Sequence, residues 1–196
     1  MKNFIILLLL LFANKCSLPN RLEFKYYNSN TEDQRKKIIN SIAKFNNLIG
    51  CEAVIINFIE ENIFANNNNN TNEIQIIDAN SLKELFFKTN NEKYKIDENS
   101  VISGFTTIKN KTSIDIFISS DEIKSICSFS YENFCIYDDF DLTMFHELGH
   151  AFGLKHETDK SKIMSEIREK QYTAFDFIHY INELRGKTNV CKGISI

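Results

Sequence analysis

Tryptophan is absent from this sequence, and proline and glycine are scarce, with one proline and six glycines among 196 residues. This scarcity excludes collagen-like chains and proline-rich or glycine-rich low-complexity chains. An excess of positive charge is also missing, because 23 basic and 26 acidic residues leave a formal net charge of -3. A nucleic acid is therefore not an expected partner, since no basic stripe is available to follow its phosphates.

The sequence also lacks an apolar run long enough to span a membrane, so no stable membrane span is expected. The N-terminal run from Phe4 to Phe12 is too short to cross about 30 Å of hydrocarbon as a helix. It is typical of a secretory signal peptide, and we predict a signal peptide at residues 1–17 and a single domain at residues 18–196. The alternatives are a buried N-terminal helix and a lipid anchor at Cys16, which the preceding lysine disfavours.

Cysteine is sparse, since only four cysteines remain of the five when the leader is set aside. An even number in a chain that leaves a reducing compartment favours two disulfides. Of the three possible pairings we predict Cys127 with Cys135, which closes a short loop, and Cys51 with Cys191, which ties the C-terminal tail to the body. Four free thiols are the alternative.

The N-terminal half of the chain has the patterns of several strands and two helices. Thr31 and Gln34 have capping-box spacing at the start of a helix that should end at Gly50. Five asparagines at residues 66–70 indicate an exposed loop, and Asn69 and Asn110 each begin a glycosylation sequon. The predicted strands are residues 22–27, 52–60, 73–77, 103–110 and 112–120, the last two as a hairpin, and residues 81–88 form a short helix.

The C-terminal half is predicted to be helical after an irregular segment at residues 121–140. Asp141 should cap the next helix, which extends to Leu154. Thr173 and Asp176 have capping-box spacing at the start of the last helix, which should end at Gly186. The strands precede the final two helices, which predicts an α+β fold.

Histidine is the scarcest chemically informative residue: three of the four histidines lie in HELGHAFGLKHE, residues 146–157. On a helix, His146 and His150 lie one turn apart on one face, where both imidazoles can bind one zinc ion at about 2.0–2.1 Å. Gly153 can adopt a positive φ, end the helix and return His156 to the metal. Three neutral imidazoles and one open position are typical of a catalytic zinc site.

Glu147 is expected beside the metal rather than on it, where its carboxylate can take a proton from a zinc-bound water that attacks a carbonyl. In another plan of zinc protease the third ligand is a later glutamate, for which Glu166 or Glu169 could serve. A zinc ion that only stabilises the fold would need a fourth ligand, and only His179 remains. A packed or surface position is the simpler role for that histidine.

The motif of His146, Glu147, His150, Gly153 and His156 resembles the zinc signature of the metzincin metalloproteases. That resemblance implies a metzincin-like zincin fold, with a mixed sheet that has an antiparallel edge strand, followed by a zinc helix, a Met-turn and a C-terminal helix. It also implies a secreted zinc endopeptidase with one catalytic Zn2+, a protein or peptide substrate and a monomeric chain. The alternative is a non-catalytic binding protein, an adhesin or inhibitor, ordered by zinc.

The position of Met164, eight residues after His156, resembles the Met-turn of the matrixin branch, in which a methionine packs beneath the metal. In the astacin branch a tyrosine typically lies two residues beyond the methionine, where this chain has Glu166. Glu157, directly after the third histidine, is similar to the astacin choice instead. A second structural zinc is not expected here, whereas a structural calcium remains compatible with the resemblance.

The resemblance further implies a substrate-binding edge strand at residues 104–109, with Gly104, Phe105, Thr106 and Thr107 in contact with the substrate and residues 114–118 in the neighbouring strand. Asp176 has two possible roles. It completes the helix cap with Thr173, or it pairs with the mature N-terminus or braces the Met-turn.

Overall fold

The computed structural model describes residues 21–27, 31–59, 72–90, 101–109, 113–121, 126–166 and 172–192. The predicted signal peptide, the asparagine run, both sequons and Glu169 lie outside these residues. None of the described helices is long and apolar enough to cross a membrane.

Five strands of the described chain form one mixed sheet in the order β2-β1-β3-β5-β4. The first four of these strands are parallel, and β4 pairs antiparallel with β5 at the edge. The mixed sheet and its antiparallel edge strand agree with the predicted α+β arrangement. In chain order the elements are β1 (Leu22–Tyr27), α1 (Glu32–Ile49), β2 (Val54–Ile59), β3 (Asn72–Ile77), α2 (Ala79–Asn90), β4 (Gly104–Lys109), β5 (Ser113–Ser119), β6 (Cys127–Tyr131), β7 (Phe134–Asp138), α3 (Asp139–Ala151) and α4 (Ala174–Lys187).

Helix α1 has the predicted ends. The Thr31 hydroxyl accepts a hydrogen bond from the Gln34 N–H (3.3 Å), and the Gln34 side chain accepts one from the Thr31 N–H (2.8 Å). These two bonds satisfy donors that have no partner within the helix. Gly50 ends the helix at φ 74°, a left-handed conformation in which glycine has no steric penalty.

Alternating side chains of β5 fill two separate cores. Ile114, Ile116 and Ile118 join the main core, which also holds the apolar faces of α1, α3 and α4. Phe117 points to the opposite face of the sheet, where it packs with Phe105 and Leu82. Strand β5 is therefore held between two layers of packed side chains, and Phe105 of the edge strand β4 joins the second of them.

The segment predicted to be irregular is instead a β-hairpin, β6–β7. Its turn contains Glu132 at φ 47° and Asn133 at φ 70°, the positive values that two-residue hairpin loops require. A disulfide between Cys127 and Cys135 spans the hairpin, with 5.6 Å between the Cα atoms. The second disulfide joins Cys51 to Cys191, with 5.8 Å between the Cα atoms. Both are the predicted pairs.

Several predicted helix ends were wrong. Helix α2 extends two residues beyond the predicted range 81–88 at each end, and α3 ends at Ala151 rather than at Leu154. The N-cap of α3 is Asp138, whose carboxylate accepts a hydrogen bond from the Asp141 N–H at 3.0 Å. Asp141 is the third residue of the helix, and its carboxylate accepts a hydrogen bond from the Asp138 N–H. The prediction of Asp141 therefore placed the start of α3 three residues too late. Gly186 lies inside α4, which continues to Lys187 because the Thr188 N–H still bonds the Leu184 carbonyl at 3.0 Å.

Candidate metal centre

Charged contacts from α1 fix the start of the histidine-bearing helix α3. Lys37 pairs with Asp138, and Lys44 Nζ lies 2.6 Å from Asp141 Oδ2. These two acidic residues are the capping box of α3, so each lysine stabilises a carboxylate that also holds backbone N–H groups. Helix α3 is thereby fixed in position before its last turn presents the histidines.

Three imidazoles converge at the end of α3. The Nε2 atoms of His146 and His150 are 3.1 Å apart, and each lies 3.2 and 3.0 Å, respectively, from Nε2 of His156. Three ligands at tetrahedral angles around one zinc ion, each at about 2.0–2.1 Å, would be about 3.3 Å apart. In the described part of the chain this is the one group of three or more metal-ligating side chains found together, and Glu166 is not part of it.

Backbone carbonyls set the tautomer of two of these rings. Nδ1 of His146 lies 2.7 Å from the Ile163 carbonyl, and Nδ1 of His150 lies 2.9 Å from the Leu154 carbonyl. A carbonyl can only accept, so both Nδ1 atoms carry the proton and both Nε2 atoms present lone pairs. Lone pairs facing one another at 3.1 Å repel unless a cation lies between them. The donor set therefore fits a zinc ion.

Desolvation at the site keeps two of the imidazoles in the form that binds metal. Desolvation lowers the pKa of His150 below its ordinary value, and the neighbouring His156 lowers it further, against the Leu154 carbonyl, which raises it. Desolvation also lowers the pKa of His156, partly opposed by Glu166. Both rings are therefore neutral at neutral pH and can donate a lone pair.

The third histidine returns to the site through a turn at Gly153. This glycine has φ 99°, and its N–H bonds the His150 carbonyl at 2.9 Å. Farther on, the Glu157 N–H bonds the Met164 carbonyl at 2.9 Å, which joins the segment after His156 to the segment that carries Met164. The geometry of the third ligand therefore depends on the backbone of this turn.

Met164 packs directly on α3, the zinc helix that carries His146 and His150. Its side chain is 1% exposed, and a Cβ atom added to Gly149 would lie 2.5 Å from its Sδ atom. Sequence reasoning did not single out Gly149. The signal that could have identified it is its position in the middle of a predicted helix. A glycine there lowers helix stability, so its presence indicates that a neighbouring side chain needs the space.

Glu147 lies between the triad and the edge strand. It is 3% exposed, and its Oε2 atom accepts a hydrogen bond from the Thr106 hydroxyl at 2.8 Å. Of the residues predicted in the edge strand, Gly104 also touches this helix, because a Cβ there would lie 3.3 Å from Glu147 Cγ. The ring of Phe105 points away, to the other face of the sheet, where it stacks on Phe117.

A family model described as Metallo-peptidase family M12 (Reprolysin_5) matches residues 13–183, most of the chain. The chain belongs to this family of metallopeptidases. With the histidine triad, the family membership makes the protein a zinc peptidase.

Two solved structures are similar to this M12 metallopeptidase. Archaemetzincin (amzA) from Methanopyrus kandleri has 11% identity and a TM-score of 0.41, and the match covers 85% of this chain and 97% of that chain. A zinc-dependent peptidase from Methanocorpusculum labreanum has 13% identity and a TM-score of 0.33, with 82% and 100% covered. No curated protein matches the chain.

Residues of helix α4 hold the segments around the metallopeptidase site. The Asp176 carboxylate accepts from the Thr173 N–H (2.9 Å) and hydroxyl (2.7 Å), and it also pairs with Lys162, two residues before Met164 (3.3 Å). Asp176 therefore caps α4 and braces the loop that leads to Met164, which combines two of its predicted roles. Its predicted partner, the mature N-terminus, lies outside the described residues.

Two other α4 side chains contact α3 or the turn that follows it. Sequence reasoning gave His179 a packed or surface position and assigned no role to Tyr180. His179 Nε2 lies 2.9 Å from the carboxylate of Glu157, the residue after the third ligand. The Tyr180 hydroxyl donates to the Phe145 carbonyl within α3. Burial, and secondarily the charge of Glu147, raises the pKa of Tyr180 well above its ordinary value, so the hydroxyl keeps its proton and remains a donor.

Proposed function

We propose that this M12 metallopeptidase is a secreted endopeptidase that hydrolyses internal bonds of extended peptide segments in the cleft between β4 and α3. The observation that carries the proposal is the position of Glu147. Its carboxylate is buried next to the histidine triad and faces the edge strand. A zinc ion that only ordered the fold would not need a carboxylate there.

His146, His150 and His156 would hold the zinc ion, which supplies a Lewis acid that polarises the scissile carbonyl and acidifies water. The Glu147 carboxylate accepts a proton from the attacking water as the new C–O bond forms. It then delivers that proton to the nitrogen of the leaving amine as the C–N bond breaks. Because Glu147 follows His146 directly on α3, the helix backbone sets its distance from the ligands.

The outer edge of β4, which pairs with no other strand in the described part of the chain, supports an extended substrate. The Ser119 N–H donates to the Ser103 carbonyl at 2.8 Å, so Ser103 and Ser119 form a hydrogen-bonded pair of the antiparallel ladder. Hydrogen-bonded and non-hydrogen-bonded pairs alternate along such a ladder. By alternation, the main-chain groups of Gly104, Thr106 and Ile108 point away from β5. A peptide can add to these groups as a further strand, and such an edge does not require the peptide to end there.

The other parts of the proposal rest on sequence. Secretion is supported by the apolar leader and by two disulfides, which persist in oxidising compartments. A matrixin-like branch is supported by the interval of eight residues between His156 and Met164. A monomeric state and a structural calcium remain predictions from the resemblance.

The experiment uses the mature, oxidised, zinc-loaded protein and two copies of one peptide library, blocked at both ends in the first copy and free at both ends in the second, with the products analysed by mass spectrometry. The proposal predicts cleavage at internal bonds that a chelator abolishes and added zinc restores. Cleavage only of peptides with a free end would show that the protein is an exopeptidase and not an endopeptidase. A protein that binds one zinc per chain but cleaves nothing would instead be the non-catalytic binding protein.

A further inference from the structure

Among the described residues of the edge strand, Thr106 donates a side-chain hydrogen bond to the proposed general base. Its Oγ1 atom lies 2.8 Å from Glu147 Oε2 and 3.0 Å from the Glu147 carbonyl oxygen. A hydroxyl has one proton to donate, and the carboxylate is the stronger acceptor of the two. The contact joins residues 41 positions apart in the sequence.

The direction of the Thr106 side chain follows from the pleat of β4. Phe105 points to the outer face of the sheet, where its ring packs on Phe117 at 4.9 Å and on Phe86 at 5.4 Å. Successive side chains alternate between faces, so Thr106 points to the opposite face, against α3.

Gly104 allows the strand to approach the helix closely enough for this bond. A Cβ atom at Gly104 would lie 2.9 Å from both the Phe117 carbonyl oxygen and Thr143 Cγ2. Since one of these neighbours is backbone, any larger residue would push β4 away from its neighbours. The missing side chain at Gly104 therefore sets the distance between Thr106 and Glu147.

The main chain of Thr106 faces the free edge of the sheet, while its side chain faces the helix. A peptide that added to this edge would bond the same residue whose hydroxyl holds the carboxylate. One residue thus contacts the substrate strand and Glu147 at the same time. A base held in this way keeps a fixed position relative to the peptide bond, which is the condition for efficient proton transfer.

We propose that Thr106 is a positioning residue that holds the Glu147 carboxylate in register with a substrate bound along β4. The role rests on the proposed peptidase function, because it assigns the base of that reaction a partner. Hydrogen bonds to charged groups are strong enough that loss of this one should lower kcat on the order of 10- to 100-fold. KM should change little, because the backbone groups of β4 remain.

The kinetic test compares Thr106→Val, Thr106→Ser and the wild type on one internally cleaved peptide. Valine keeps the shape and β-branching but removes the donor, so kcat should fall while KM stays within about twofold. Serine keeps the donor and should restore most of the lost kcat. The control is Thr89→Val, which removes a hydroxyl bonded to the Leu85 carbonyl at 2.7 Å at an exposed position of helix α2. A loss confined to KM, or equal kcat for valine and serine, would overturn the proposal.

A second measurement needs no peptidase activity. In the zinc-free protein, thermal unfolding of Thr106→Val, Glu147→Ala and the double variant gives a double-mutant cycle. The proposal predicts that the two losses of stability do not add, because each substitution removes the same bond. Additive losses would refute the contact. If the wild type cleaved no peptide but the cycle showed coupling, the proposed function would fail while the contact between Thr106 and Glu147 would stand.

Discussion

The sulfur of Met164 lies against the backbone of Gly149, inside the zinc helix. A Cβ atom at Gly149 would come within 2.5 Å of Sδ and 3.3 Å of Tyr180 Cε2. The absence of a side chain at this position lets the methionine segment and α4 approach the helix from below the histidines. The shape of the site therefore depends on Gly149, which is not itself a metal ligand.

Gly149→Ala is expected to destabilise the protein by about 1–3 kcal/mol, the usual cost of overpacking a well-filled core. Gly186→Ala is a matched control, since Gly186 is also helical but has no atom within 4 Å of its added Cβ. That substitution should raise stability by up to about 1 kcal/mol through helix propensity. Thermal unfolding of both variants measures the difference, and equal shifts would show that Met164 does not need the space.

Gly153→Ala should weaken zinc binding, because φ 99° is strained for any residue with a Cβ and the turn places His156. Gly50→Ala is the control. Gly50 also has a positive φ, 74°, but ends α1 away from the histidines. Competition with a zinc chelator should show a raised Kd for Gly153→Ala and an unchanged one for Gly50→Ala, although both lose stability. An unchanged Kd in both variants would show that the conformation of the turn at Gly153 does not control zinc binding.

Acidification should destabilise the zinc-free protein through two imidazoles of the triad. Because folding lowers the pKa of His150 and His156, the unfolded chain binds protons more readily than the folded chain. Their contribution to stability is complete above the unfolded value of about 6.5 and is lost as the pH falls through the lower folded values. Melting temperatures of the wild type and His150→Asn between pH 8 and pH 5 test this. The variant should show the smaller decline, and parallel curves would contradict the assignment.

The two disulfides should contribute unequally to stability. Cys127 and Cys135 are 8 residues apart, whereas Cys51 and Cys191 are 140 apart. Loop-closure entropy gives about 2.5 kcal/mol for the short loop and about 5 kcal/mol for the long one. Paired alanine substitutions, measured by denaturant unfolding, should therefore cost more at Cys51 and Cys191. The reverse order would mean that the hairpin contributes more to stability than chain entropy indicates.

The metal ligands and the ends of α1 were predictable because their causes are local in the sequence. His146 and His150 need only one helical turn to converge, and the Thr31–Gln34 pair is a capping box within four residues. The hairpin β6–β7 was missed because its turn contains Glu132 and Asn133 rather than a glycine pair, although both adopt positive φ. Gly186 gave a false end to α4, since a glycine near a helix end can also lie within the helix.

Contacts between distant segments could not be predicted from the sequence. The hydrogen bond from Thr106 to Glu147 depends on how β4 lies across α3, and the packing of Met164 on Gly149 depends on the path of a long turn. Neither distance can be predicted from the spacing of these residues in the sequence. Both contacts nevertheless determine how the predicted motif is held.

The central claim is that Glu147 is the general base of a zinc-dependent hydrolysis. The most direct measurement is the cleavage rate of one blocked peptide by Glu147→Ala, with zinc content determined on the same sample. The account predicts that hydrolysis is abolished while zinc stays near one per chain, because His146, His150 and His156 remain in place. Equal activity in the variant and the wild type, at equal zinc content, would contradict it.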